Sequence, residues 1–356
     1  MRWGAASQIT KGFSMGAYIF SEQGRQRLNE FLTNLHTQLG VPAGSEFAVT
    51  PMILQTLFEK AVEDGSWFLN MINANVMVPD LKGDKLGMFI TALTSTRTDT
   101  SGDLERKARH LHDLDPHGYE LFPTENNFAL TYKIIDQWKH IKNGREYAEM
   151  YAKLLRLAVA NDSIKVGWHG TSAAATTDPV ANPLGQDLNV GWLQLLRNHA
   201  SERIEETGAT FGAGGDFANL DALVADALQT IPEHFRYDPG LRVLISDDIL
   251  SSANAKFYEA AGDTPSEKHH MDGGRILETY GGKRAIAAPF MPAGSIVITN
   301  PKNLSIYRQE GSWRRQIIDN PKKNQLEDFN SHNSGYVVEE YDAITAITNV
   351  APAPAI

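Results

Sequence analysis

Eleven histidines are the side chains here best suited to chemistry, because imidazole ligates metals and moves protons near neutral pH. His110 and His112 stand two apart, and a strand would put both on one face, with His117 following. His269 and His270 sit beside Asp263, Glu267 and Asp272. The chain has no HExxH pair, and adjacent histidines on a strand point to opposite faces. Both groups fall in polar, loop-like tracts. Solvated histidines are the simpler expectation, with a metal site competing.

Other chemistry-bearing residues resolve the same way. Asp247-Asp248 directly follows LRVLIS, at the carboxyl end of a short strand where open sheets place their sites. An acidic N-cap on the next helix explains the pair as well. Gly281-Gly282-Lys283 resembles the end of a phosphate loop, but Arg284 stands where Ser or Thr is needed and Leu277 where Gly is needed. A hairpin turn is expected there. Gly212-Ala213-Gly214-Gly215 lacks the strand and spacing of a dinucleotide loop and is read as a flexible loop. No serine carries the glycines of a nucleophile elbow. Arg314-Arg315 could clamp a phosphate, or pair with Glu310, Asp319 or Glu327. No catalytic site and no cofactor is expected.

Composition narrows the setting. At 356 residues the chain exceeds the roughly 250–300 at which single cores stop growing, so two domains are expected. It has no cysteine, which removes disulfides, thiolate metal sites and thiol nucleophiles together and suits a reducing cytoplasm. Net charge is −10, against the basic excess of a dedicated nucleic-acid binder. Apolar runs stay far short of the roughly 20 residues a membrane span needs, and residues 1–20 lack the apolar core of a signal peptide.

The elements come in a distinctive order. Leu28, Phe31, Leu32, Leu35 and Leu39 form one helical face that stops at Gly40, and the loop VPAGSEFAVTP follows. This lone stripe must dock on something. A second helix starts at Thr50-Pro51, and WFLNMI is a short apolar element. Residues 76–132 read as a long extended β-rich excursion. The strongest helix runs from about 135 to 160 with a continuation to 166, carrying Tyr147, Tyr151, Leu154 and Ala158 along one seam. Polar loop 170–186 then crosses to an α/β portion, with helices in GWLQLLRN and GGDFANLDALVADALQTIP and a strand in LRVLIS. The chain returns to β in AGSIVITN, in a ribbon over 302–321 turning at Glu310-Gly311-Ser312, and in SGYVVEEYDAITAI. APAPAI is expected to fray.

A docking helix, an extended arm, a long helix, an inserted α/β domain and a returning ribbon together resemble the tailed-bacteriophage major capsid protein of the HK-ninety-seven type. The blocks QTLFEKAVEDGSWFLNMIN, KGDKLGMFITALTSTRTDT, QDLNVGWLQLLRN, GGDFANLDALVADA, KNLSIYRQEGSWRRQIIDNPKKNQLEDFNS and GYVVEEY look like the P-two-like (peduovirus) branch, in its order, over about residues 25–345.

That resemblance implies an α+β chain. Residues 1–47 would be an assembly (scaffold-like) segment, 48–75 the N-terminal arm, and 76–132 an extended β loop lying over an adjacent subunit. Residues 133–180 and 291–350 would form the peripheral domain, with long spine helix and antiparallel sheet. Residues 181–290 would be the inserted axial α/β domain, and 351–356 a tail. It implies a structural protein with no enzyme activity, a homo-oligomer of pentamers and hexamers closing an icosahedral head in the host cytoplasm around double-stranded DNA, without sequence-specific binding and without a membrane. Scaffold, maturation protease and portal protein would be its partners. A cut is expected near Phe47-Ala48, no Lys–Asn cross-link is expected at Lys85 or Asn333, and Trp313, Arg314 and Arg315 are the expected assembly contacts, since Trp and Arg dominate interfaces. An encapsulin-like compartment shell is the neighbouring alternative. A metal-dependent hydrolase using the histidines and Asp247 is the alternative from another class.

Overall fold

The computed structural model describes residues 67–87, 113–137, 144–252 and 279–353, with isolated positions at 26, 29, 30, 33, 47, 48, 95, 97 and 98. Of the helix expected over 28–39 only positions 29, 30 and 33 are described, all helical, while the helix expected from Thr50, both histidine pairs and most of the middle of the excursion lie outside the described residues. Two compact units divide the chain: Met1–Phe47 with Asn127–Tyr151 and Gln316–Phe329, and Ala48–Asn126 with Ala152–Arg315 and Asn330–Ile356.

In the first unit, strand Phe128–Thr131 lies antiparallel to the start of strand Gln325–Val338, with Leu130 opposite Leu326. Both leucines are buried. Asn324, at φ 52°, turns the chain into this pairing, and its carbonyl accepts the Tyr132 amide at 3.0 Å, where helix Tyr132–Gln137 begins. The Tyr132 hydroxyl bonds Asp319.

The second unit holds two sheets. In one, Leu304–Gln309 runs parallel to Asn73–Val78 and antiparallel to residues 334–338, while Phe122–Glu125 pairs with 331–334. The sequence predicts 302–321 as a two-stranded ribbon, but Leu304–Gln309 takes other partners. Its first five residues are buried, so it is a central strand with both edges used. Gly311, at φ 67°, instead sends the chain into the more exposed strand Arg314–Asn320.

In the second sheet the strand order is Thr279–Tyr280, Lys283–Ala287, Arg242–Ile245, Ile296–Thr299, Ile344–Ile347, Ile204–Glu205. Central positions are apolar on both faces. Val243 and Ile245 pack with Leu223 and Val224 of helix Leu220–Gln229, whereas Leu244 packs with Trp192 and Leu196 of helix Trp192–His199. Asn219 caps the first of these helices by accepting the Ala222 amide. Two of the strands come from 291–350 and join those of 181–290 in one ladder. The Ala/Pro stretch does not fray at once: Val350–Pro352 runs parallel to Ala209–Phe211, and the Ala353 amide reaches the Phe211 carbonyl at 2.8 Å.

The long helix is Gly144–His169, 26 residues, which makes it about 39 Å long. It runs past 166, and residues 138–143 before it lie outside the described ones. Leu154, on the expected seam, is 49% exposed, and the residues buried toward the helix's end are Ala160, Ile164, Val166 and Trp168. Gly167 lets the Trp192 ring pass, since a Cβ there would collide with it.

Candidate assembly surface

The described part of the excursion includes a pinned pair of strands. Lys82–Gly87 pairs antiparallel with Asp113–Glu120, from Lys82 opposite Glu120 to Gly87 opposite Asp113. Lys85 fastens it. Its ammonium is buried, donates to the Val338 carbonyl at 2.7 Å and the Glu339 carbonyl at 3.3 Å, and lies 5.3 Å from the centre of the Tyr341 ring. Nothing in KGDKLG marks this lysine as an anchor, because alternation places it no differently from an exposed one. The Asn333 amide nitrogen donates to Gln309 Oε1 at 2.7 Å.

Beneath the residues expected to make assembly contacts lies a buried polar layer. Arg308 and His332 are 5% and 6% exposed. Burial pushes the Arg308 guanidinium down to about 9, which leaves it charged at neutral pH. Burial first, and then the Arg308 charge, push His332 down to about 3, so the imidazole is neutral. The Tyr336 hydroxyl, held up by burial, donates to the Ser163 carbonyl at 2.8 Å. With Asn189, Ser334 and Thr124 these groups line a cavity of about 30 Å³, room for a water or two.

Trp313 stacks on the His332 ring, 5.1 Å between centres and 16° between planes. It is half-buried, and the stack fixes the backbone from which the exposed Arg314 and half-buried Arg315 leave. Phe47–Ala48 is a two-residue strand.

The remaining candidates have ordinary roles. Asp248 accepts the Gly294 amide at 2.9 Å, and helix 247–252 begins at exposed Asp247. Gly281 and Gly282, both at positive φ, make the hairpin turn that pairs Tyr280 with Lys283. Gly212 and Gly214, also at positive φ, turn the chain so that the Phe217 carbonyl accepts the Gly212 amide. His117 packs among rings. Among the described residues no three His, Asp or Glu side chains converge as a metal site, and no helix is long and apolar enough to cross a membrane.

Comparison with known proteins gives a consistent result. Residues 27–350 match the model of the phage major capsid protein, P2 family. The chain is 32% identical over 342 residues to the capsid proteins of Escherichia phage P2, covering 90% of this chain and 93% of that one. It is 27% identical over 322 residues to the major capsid protein of Serratia phage KSP20, covering 86% and 89%. Among solved structures, a chain of the satellite phage P4 procapsid that includes the size-determination protein superposes with a TM-score of 0.74 at 30% identity, covering 93% of this chain and 98% of that one. The mixed helix-and-sheet architecture is the HK-ninety-seven-type capsid fold. This chain belongs to the P2 family of phage major capsid proteins.

Proposed function

We propose that copies of this chain, a shell-forming structural protein and component of the virion, close into an icosahedral head of pentamers and hexamers around double-stranded DNA. Assembly takes place in the host cytoplasm with a scaffold, a maturation protease and a portal protein. The match along residues 27–350 carries this reading. Residues 1–47 guide assembly and are then removed at Phe47-Ala48. Residues 48–75, 76–132, 133–180 with 291–350, and 181–290 serve as arm, extended loop, peripheral domain and axial domain, with strands Ile296–Thr299 and Ile344–Ile347 completing the sheet of the last.

Negative-stain electron microscopy of the purified chain, with and without residues 1–47, tests the class. Closed shells, tubes or five- and six-membered rings are expected. Small particles carrying stoichiometric zinc or manganese would restore the hydrolase. Mass spectrometry of coat protein from mature particles should find a new N-terminus at Ala48, and an intact residue 1 there would remove the proposed cut.

Trp313, Arg314 and Arg315 act as assembly contacts. Both arginines follow directly on the Trp313–His332 stack in the chain. Arg314→Glu with Arg315→Glu should lower shell yield at least about tenfold, as interfacial charge reversal costs several kcal/mol, while far-ultraviolet circular dichroism stays unchanged. Normal shells from that variant would sink the assignment.

A further inference from the structure

A pocket of about 230 Å³ opens between the end of strand Phe122–Glu125, the long helix and the loop that follows it. Val166 and Leu188 give it an apolar wall, and its charged groups are Glu125, Asp162, Asp187 and Lys165. Three carboxylates thus share the pocket with one ammonium. Lys165 is already used twice, pairing with Asp162 at 3.2 Å and lying 5.3 Å from the centre of the Phe290 ring. A negative excess beside an apolar wall suits a side chain with an aliphatic stem and a cationic head. Among cations, a guanidinium meets carboxylates best, with a planar fork of donors.

The loop side of the pocket is built by its own hydrogen bonds. Asp187 Oδ2 accepts the Asp178 amide at 2.7 Å, and Asp178 Oδ1 takes the Val180 and Ala181 amides at 2.9 and 3.2 Å. Gln186 Oε1 takes the Leu184 amide at 3.1 Å. Val180, inside this bonded loop, is nonetheless 89% exposed. A wall fixed in this way needs little ordering when a partner arrives.

Many of the described cations are committed within their own copy. Lys82 pairs with Glu120, Arg197 with Glu206, Arg203 with Asp342 and Lys323 with Glu327. Lys283 and Lys302 donate to backbone carbonyls. Arg314, by contrast, is exposed at the start of its strand. A ring of copies needs unlike surfaces that fit, a projection on one copy entering a recess on the next.

We infer that this pocket receives the Arg314 side chain of a neighbouring copy, the stem against Val166 and Leu188 and the guanidinium among the carboxylates. The pairing rests on the reading of Arg314 as an assembly contact and supplies the surface that Arg314 meets.

Charge reversal on both sides tests it, with shells counted by negative-stain electron microscopy and folding followed by far-ultraviolet circular dichroism. Glu125 and Asp162 are exposed, so Glu125→Lys with Asp162→Lys should leave the fold intact. That pair should lower shell yield at least about tenfold, because like charges then meet across the contact. Arg314→Glu alone should do the same. Joined in one chain, the three substitutions restore opposite charges and should recover at least about tenfold of the loss. Normal shells from Arg314→Glu would remove the arginine as a contact, and this pairing with it. Loss of shells in Arg314→Glu beside full yield from the lysine pair would keep the contact and overturn the pocket. So would a triple variant that assembles no better than its parents.

If the lysine pair does not fold, a trap takes its place, since the chain has no cysteine of its own. Arg314→Cys with Asp162→Cys, assembled and treated with a short bismaleimide, should give denaturing-gel bands larger than a dimer. A single cysteine can join no more than a pair of copies, so larger bands need both positions to meet. Bands no larger than a dimer from the double variant overturn the pairing.

Discussion

Trp192→Ala is expected to remove about 3–5 kcal/mol of folding stability, the cost typical of deleting a large core aromatic. Trp192 is fully buried. Its ring meets Trp168 at 5.1 Å and Tyr336 at 5.4 Å, both near perpendicular, the edge-to-face arrangement that aromatic quadrupoles favour. It also fills the gap that Gly167 leaves in the long helix. Its indole nitrogen donates to the Ser305 carbonyl at 3.1 Å, tying the 192–199 helix to the central strand. Deletion leaves a cavity walled by helix and sheet backbone, which cannot collapse into it. Urea unfolding of dissociated subunits should show a lower midpoint with an unchanged slope. Trp192→Phe keeps most of the packing and loses the hydrogen bond, so its cost should be smaller, about 1–3 kcal/mol. Equal losses in the two variants would mean that the bond, and not the volume, carries the effect.

What the sequence revealed follows the reach of its signals. Buried strands such as LRVLIS and AGSIVITN carry local apolar density, and they form where that density predicts. Helix Leu220–Gln229 shows its face in Leu220, Leu223, Val224 and Leu228, all buried. Pairing is a different matter. The pattern over 302–321 specifies two strands and a turn, but the choice of 73–78 and 334–338 as partners of Leu304–Gln309 depends on residues more than 25 and 200 positions away in the chain. Periodicity also cannot say which side of a helix is covered, so Leu154 reads as core and is half in solvent. Anchors are the least legible. Lys85 and Arg308 look like surface cations in an alternating strand, and only the fold reveals that it buries them. Family membership rested on the order of many weak blocks, whereas no single side chain announced it.

His332 gives the chain a steep acid dependence. Its folded value lies at about 3, and an unfolded histidine titrates near 6.5. Above about pH 6.5 both states carry a neutral ring, and this residue adds no pH dependence. As pH falls, the unfolded chain takes the proton and the folded chain refuses it, so stability drops by up to about 1.4 kcal/mol per pH unit until the folded value is reached. The whole window amounts to several kcal/mol, on the order of 3–5, comparable to the core deletion above. The carboxylates of Glu205, Asp216 and Glu327, whose values their hydrogen bonds pull down, lower stability in the same direction as pH falls, but only near and below the ordinary carboxylate range. The interval from about pH 6.5 to about pH 5 is therefore where histidines act without them. His332→Phe preserves a flat ring against Trp313 and removes the titration. Its urea midpoint should fall more gently across that interval than the unmodified chain's, by up to about 1.4 kcal/mol per pH unit in the fitted stability. Parallel slopes would show that the ring reaches a proton in the folded state, and the buried layer beneath Trp313 would then have to open in mild acid.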